Sequence, residues 1–254
     1  MNLWLNNNLI VVVVVVANHV MVIATVMANA MVIVVAKNVA AKKITISDQE
    51  AYQKKLLNIP YTDYQLEMLE YAKTHDVPVM QEEGIGFLIM LLKVLRPKRI
   101  LEIGSAIGYS SSFMAFNCDA IIDTIDRDQK MFDECQKNHQ ILEIDKRVNR
   151  IFGDALETFD LVKDNQYDLI FIDAAKAQYI RFFELYAPLL KDTGVILSDN
   201  LYFHELLFTE VENRDLRQLV RKVDRYNDYL NSLTDYETHI FKIGDGIGVT
   251  TKKA

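Results

Sequence analysis

Charge is missing from the first part of this chain. Between Leu9 and Ala36 there is no Asp, Glu, Lys or Arg, and Val11 to Val16 is an unbroken valine run. Length and apolarity there meet the criterion for a membrane span, and Lys37, Lys42 and Lys43 would hold the remainder of the chain in the cytoplasm. No basic residue precedes the run, which excludes the usual order of a secretory leader. Asn18, His19 and Asn29 cost energy in hydrocarbon, and the valine content favours strands. Residues 1–43 therefore stand under three readings: an extension foreign to the domain, a membrane anchor, or a packed accessory element. Cysteine is scarce as well. Cys118 and Cys135 have no C-x-x-C spacing and no disulfide framework around them, so they read as reduced thiols of a cytoplasmic protein. The dinucleotide fingerprint G-x-G-x-x-G is absent. So is an excess of positive charge: the net charge is −7, and any nucleic-acid contact needs a local patch. There are no internal repeats.

What is present is 254 residues, 50% hydrophobic and 25% charged. That is enough for one large domain, residues 44–254, with a sizeable core. Ser47-Asp48-Gln49-Glu50 reads as a capping box opening a helix through about Leu57. Thr62 to Thr74 carries Tyr64, Met68 and Tyr71 at helical spacing, and Gln81 to Leu95 reads as a helix stopped by Arg96-Pro97. Strand and helix patterns then alternate to about Leu190, which indicates an α/β fold with a parallel sheet and helices on both faces. His239 to Ile243 and Ile247 to Thr251, joined by Gly244-Asp245-Gly246, read as a C-terminal antiparallel hairpin.

The chemistry-bearing residues sit where apolar runs end. Leu169 to Ile172 and Val195 to Leu197 read as buried parallel strands, followed by Asp173 and by Asp199-Asn200. Ligands of open α/β sheets bind beyond the carboxyl ends of strands, so these three side chains meet at one rim. Their oxygens suit a hard divalent cation such as Mg²⁺, with Lys176 in reach of an oxygen held on it. Upstream, Gly104 and Gly108 allow a tight turn and close backbone approach. The next strand ends at Asp126, placed to accept from ribose hydroxyls, and the one after it at Gly153-Asp154-Ala155, placed for an adenine amino group. Each has a structural competitor: Asp173 as a turn cap, Lys176 as a surface lysine, Asp126 and Asp154 as helix caps.

The order E-I-G-x-x-x-G-Y-S, T-I-D-R-D, G-D-A, F-I-D-A-A-K and S-D-N resembles the metal- and S-adenosylmethionine-dependent O-methyltransferases of the catechol and caffeoyl-CoA type, from about Ile44 onward. His75 to Met80, Asp173 to Tyr179, Lys222 to Asn227 and Gly244-Asp245-Gly246 are most similar to the bacterial tRNA 5-hydroxyuridine methyltransferases within that family. The resemblance implies a Rossmann-like, seven-stranded class I methyltransferase sheet with one reversed strand. It implies S-adenosyl-L-methionine held by Val79, Met80, Glu102, Gly104, Gly108, Tyr109, Ser110, Asp126, Gly153, Asp154, Ala155 and Asp173. Asp173, Asp199 and Asn200 would bind the metal, and Lys176 with Asp173 would serve catalysis. A homodimer is the family expectation. Two departures stand out: Asp126 replaces the longer Glu of many relatives, and Leu201 to Glu205 replaces an Arg-Gly pair common in bacterial ones. For the acceptor, Arg214, Arg217, Arg221 and Arg225 recur at helical spacing. They read either as a phosphate-contacting face for a tRNA anticodon, with Tyr202 or Phe203 stacking on the base, or as a solvated face balanced by Glu212, Asp215 and Asp224. The expected reaction is methylation of wobble 5-hydroxyuridine, the alternative a catechol or caffeoyl-CoA-like acceptor. Lone His204 reads as a loop residue.

Overall fold

The computed structural model describes Tyr52, residues 55–203 and 206–253, and backbone strand segments between Asn2 and Met31. The chain divides into two compact units, Met1–Tyr52 and Gln53–Ala254. In the first, β1 (Asn2–Asn6), β2 (Leu9–Val16) and β3 (His19–Ala24) form an antiparallel sheet, and β4 (Val26–Met27) pairs with β5 (Ala30–Met31). The valine run is thus a strand, as β-branched side chains favour. Among the described residues no helix is long and apolar enough to cross a membrane. The capping box at Ser47 lies outside the described residues.

In the second unit α1 (Asp63–Thr74) is opened by a reciprocal cap: Thr62 Oγ1 accepts from the Gln65 N–H, and Gln65 Oε1 accepts from the Thr62 N–H at 3.0 Å. Helix α2 (Glu82–Leu95) ends on Arg96 in the left-handed region, just before Pro97. Alternation then sets in: β6 (Arg99–Ile103), α3 (Tyr109–Asn117), β7 (Ile121–Asp126), α4 (Gln129–Ile141), β8 (Val148–Phe152), β9 (Tyr167–Ile172), α5 (Tyr179–Tyr186), β10 (Leu190–Ser198), α6 (Arg214–Ser232), β11 (Tyr236–Phe241) and β12 (Ile247–Lys252). The seven-stranded sheet has the order β11-β12-β10-β9-β6-β7-β8. Only β12 runs against its neighbours, pairing antiparallel with both β10 and β11. Strand order reverses between β6 and β9, and ligands of such sheets bind at that crevice.

The period-2 alternation of a strand builds the two cores. Ile100, Leu169, Phe171 and Leu197 face the layer holding Leu88, Leu92 and Phe113. Leu101, Ile170, Ile172 and Ile196 face the layer holding Phe183, Tyr186 and Tyr226. Truncating a fully buried aromatic such as Phe171 to Ala would cost about 3–5 kcal/mol.

His139, on α4, is fully buried beneath the turn after β6, with Nε2 3.0 Å from Ser111 Oγ. Gly108 allows this approach: φ is +79°, and a Cβ there would lie 2.4 Å from Nε2. Burial, and then the nearby Arg150 guanidinium, push the imidazole pKa down to about 4. The folded value lies below the unfolded one, so the unfolded chain binds more protons in between. Stability is therefore lost as pH falls from about 6.5 toward 4, by at most about 3 kcal/mol. His139→Gln is expected to narrow the difference between urea midpoints at pH 7 and pH 4.5; an unchanged difference would remove His139 from the acid transition.

Candidate functional site

A cleft of about 530 Å³ opens at the carboxyl ends of β6, β7, β8 and β9. One wall is the connector between α1 and α2, Asp76 to Gln81. The floor is the turn after β6, Gly104 to Ala106 with Tyr109 and Ser110. The far wall is Asp126, Arg127 and Gly153 to Ala155, and the mouth carries Asp173, Ala174, Lys176 and Asn200. Asp76, Asp126, Asp154 and Asp173 outnumber Arg127 and Lys176, so the lining favours a ligand of positive charge.

Of the residues expected from sequence, Val79, Met80, Gly104, Tyr109, Ser110, Asp126, Gly153, Asp154, Ala155, Asp173, Lys176 and Asn200 line this cleft. Glu102 and Gly108 do not. Gly108 serves the packing on His139 described above. Glu102 is fully buried on β6, where its carboxylate accepts from Ser110 Oγ and, at 2.5 Å, from Thr124 Oγ1. It ties β6, β7 and the start of α3 together, and its partner Ser110 lines the cleft. Asp199 is also buried, below Asn200. Sequence reasoning missed Asp76, Val77, Pro78, Gln81 and Arg127. The His75 to Met80 motif signalled the first three, although only its last two residues were assigned.

Asp126 does not cap the following helix; Asp128 does, accepting from the Met131 N–H at 3.0 Å. Asp126 accepts instead from the N–H groups of Ala106 at 2.8 Å and Asp128 at 2.9 Å, so the floor turn hangs on this carboxylate. Asp154 closes a turn rather than capping a helix. It caps the Leu156 N–H and pairs with Arg127 at 2.9 Å while lining the cleft, and the Leu156 N–H leads in holding its pKa below the usual carboxylate range.

At the mouth, Gly104 has φ +98°, and a Cβ would lie 2.1 Å from the Asp173 carbonyl oxygen. Lys176 Nζ donates to Asn200 Oδ1 at 2.7 Å and stands 5.7 Å from the Phe203 ring centre. The Asn200 N–H donates to Asp199 Oδ1 at 2.8 Å, with Asn200 itself at φ +61°. Burial raises the pKa of both Asp173 and Asp199; the carboxylates of Asp173 and Asp245 push Asp199 further, and Lys176 offsets part of the rise. Among the described residues no three His, Cys, Asp or Glu side chains group to hold a metal ion; the donor set here is two carboxylates and an amide. It fits a hard divalent cation. Lys176 sets an ammonium on Asn200 Oδ1, beside the buried Asp199 and the part-exposed Asp173. Asp245, 5% exposed, is a further carboxylate at this mouth.

The four arginines of α6 are all exposed. Arg217 is engaged locally, its guanidinium donating to the carbonyls of Val211 at 2.8 Å and Glu212 at 2.9 Å. Asp224 and Asp228, three residues beyond Arg221 and Arg225, share their side of the helix. Phe203 is buried and does not offer a free ring face. His204 lies outside the described residues.

A family model described as O-methyltransferase matches residues 47–253. A caffeoyl-CoA O-methyltransferase from Populus kitakamiensis is 30% identical over 187 residues, covering 70% of this chain and 79% of that protein. A Staphylococcus aureus structure, provisionally named a caffeoyl-CoA O-methyltransferase, superposes with a TM-score of 0.77 at 36% identity, covering 81% of this chain and 99% of that one. An O-methyltransferase from Bacillus cereus, solved in complex with SAH, superposes with a TM-score of 0.69 at 23% identity, over 83% of this chain and 98% of that one.

Burial pushes the Glu102 pKa up to about 7 against the pull of Ser110 and Thr124. A carboxyl raised on folding contributes stability that is full below about pH 4.5 and lost as pH climbs through 7, by at most about 3 kcal/mol. Glu102→Gln carries no such charge. Its stability relative to the parent is expected to rise between pH 5 and pH 8, read as urea midpoints; parallel profiles would show Glu102 to be ionised in the fold throughout.

Proposed function

The chain belongs to the O-methyltransferase family, and on that premise we propose that it moves the methyl group of S-adenosyl-L-methionine, held in the cleft, to one oxygen of a vicinal oxygen pair with the help of a divalent cation such as Mg²⁺. The observation that carries this reading is the adjacency of the acid-lined cleft to the mouth formed by Asp173, Asn200 and Lys176. Methyl transfer from a sulfonium is an in-line displacement: an oxygen–carbon bond forms as the carbon–sulfur bond breaks, leaving a neutral thioether. Holding donor and acceptor at attack distance can supply about 7–11 kcal/mol of the barrier.

Asp126 accepts from the ribose hydroxyls of the donor, and Asp154 with Arg127 borders its base. The connector through Val79 and Met80 closes over its methionine end. Asp173, Asp199 and Asn200 would hold the cation, which when bound stabilises an ionised acceptor oxygen and fixes its direction. Lys176 faces that oxygen as general base or as charge partner. The acceptor supported best is a small catechol-like molecule, free or as a coenzyme A thioester, since the relatives bear names of that kind. A tRNA 5-hydroxyuridine has the same chelating pair in its 5-hydroxyl and 4-carbonyl oxygens. The exposed Arg214, Arg221 and Arg225 favour it as a second reading, and a homodimer stays with the family expectation.

Turnover of a catechol and caffeoyl-CoA panel is expected, abolished by chelator and restored by Mg²⁺. Asp199→Asn should lower it by at least the roughly 10–100-fold lost when partners of metal ligands are removed. If instead only hypomodified tRNA is methylated, and Arg221→Glu with Arg225→Glu removes that activity, the second reading replaces the first. Chelator-resistant turnover would sink both.

A further inference from the structure

The turn joining β11 to β12, Gly244-Asp245-Gly246, folds back onto the loop after β10. The Leu201 N–H donates to the Gly246 carbonyl at 2.9 Å and the Tyr202 N–H to the Asp245 carbonyl at 2.8 Å. Gly246 has φ +91°, and a Cβ there would lie 2.7 Å from the Tyr202 nitrogen, so the two loops are in backbone contact. This contact brings the Asp245 carboxylate, 5% exposed, to 3.4 Å from Asn200 Nδ2, with the amide as donor.

An asparagine that ligates a cation must present oxygen and keep its NH₂ away, because the two ends of the amide carry opposite partial charges. Two groups set that choice here. Lys176 Nζ donates to Oδ1, and Asp245 Oδ2 accepts from Nδ2. Were a cation to bind at Oδ1 in place of the ammonium, Asp245 would remain as the group that selects the oxygen-first orientation. Partners of ligating side chains act this way in metal sites generally, and their removal costs about 10–100-fold in metal affinity.

We infer that Asp245 is a positioning residue that orients the Asn200 amide for cation binding from the far side. The inference rests on the metal reading of the mouth proposed above. Its basis is the hydrogen bond and the rigid loop contact; Asp245 is not assigned a reacting atom.

The test is titration of the full chain with Mn²⁺, followed by electron paramagnetic resonance of the free ion, alongside a thermal melt of each protein. Asp245→Asn keeps a side-chain oxygen that accepts from Nδ2, so its Mn²⁺ dissociation constant should stay within about 3-fold of the parent. Asp245→Ala and Asp245→Ser cannot reach Nδ2 and should bind about 10–100-fold more weakly. The serine variant keeps the site hydrated should alanine fail to fold. Parent-like binding by the alanine or serine variant overturns the inference. So does an asparagine variant as weak as they are, because the charge and not the orientation would then matter. A parent that fails to bind Mn²⁺ overturns the metal reading itself, and the parent titration tells that failure apart from the others.

Discussion

The contact between Gly104 and the backbone of Asp173 sets the dimensions of the site. No atom larger than hydrogen fits on the Gly104 α-carbon toward Asp173, since a Cβ would lie 2.1 Å from its carbonyl oxygen. The Asp173 N–H donates to the Ile103 carbonyl at 3.0 Å, and the Gly104 N–H to the Ile125 carbonyl at 2.9 Å. The ends of β6, β7 and β9 are therefore stitched side by side by backbone groups that need partners in any case. Everything at the strand ends is placed by this stitch: Asp126 at one end of the cleft, Asp173 at the other, the floor turn between them. A side chain at position 104 would push these strand ends apart, and on the proposed reading a displacement of about 1 Å between donor and acceptor can cost about 100-fold.

Under the floor, two buried titratable groups work in opposite directions. Burial raises the Glu102 pKa above its unfolded value to about 7 and lowers that of His139 below its own to about 4, so the first favours the fold at lower pH and the second at higher pH. Their effects oppose each other in the window between. Both belong to one hydroxyl network, through Ser110 to Glu102 and Ser111 to His139, so adjacent serines at the start of α3 join the sheet to α4. The serine run therefore has a structural part in the fold, while Ser110 also lines the cleft.

The fold was legible because its signals are local. Leu169 to Ile172 alternates between two cores with period 2, as the strands of a covered sheet do, and Asp173 comes next at the rim because the apolar run stops there. The reversed last strand was legible from Gly244-Asp245-Gly246. Three kinds of information were not. The direction of Glu102 depends on which face of β6 each residue takes, and the motif E-I-G does not reveal that. The locally engaged state of Arg217 depends on carbonyls of Val211 and Glu212, residues that the charge pattern does not single out. The proximity of Asp245 to Asn200 spans 45 positions and exists only because β12 inserts between β10 and β11.

The same insertion bears on the acceptor. Helix α6 precedes the hairpin, and its inner face is bound to the mouth: Tyr226 shares a hydrogen bond of 2.8 Å with Ser198, and Asn227 donates to the Leu201 carbonyl at 3.0 Å. The outer face carries the arginines. A helix fixed so closely to the loop after β10 has a structural reason to exist whatever lies outside it, and arginine stems keep such a helix solvated and helical. The exposed charges are also mixed, with Asp224 and Asp228 among them, which lowers the field that a phosphate backbone would meet. The inner face holds the loop that carries Asn200, and on the proposed reading that service is needed equally for a free catechol, a thioester or a presented base. On the proposed reading, the chemistry of the mouth therefore constrains the reacting oxygen pair far more tightly than the outer face of α6 constrains the molecule that carries it.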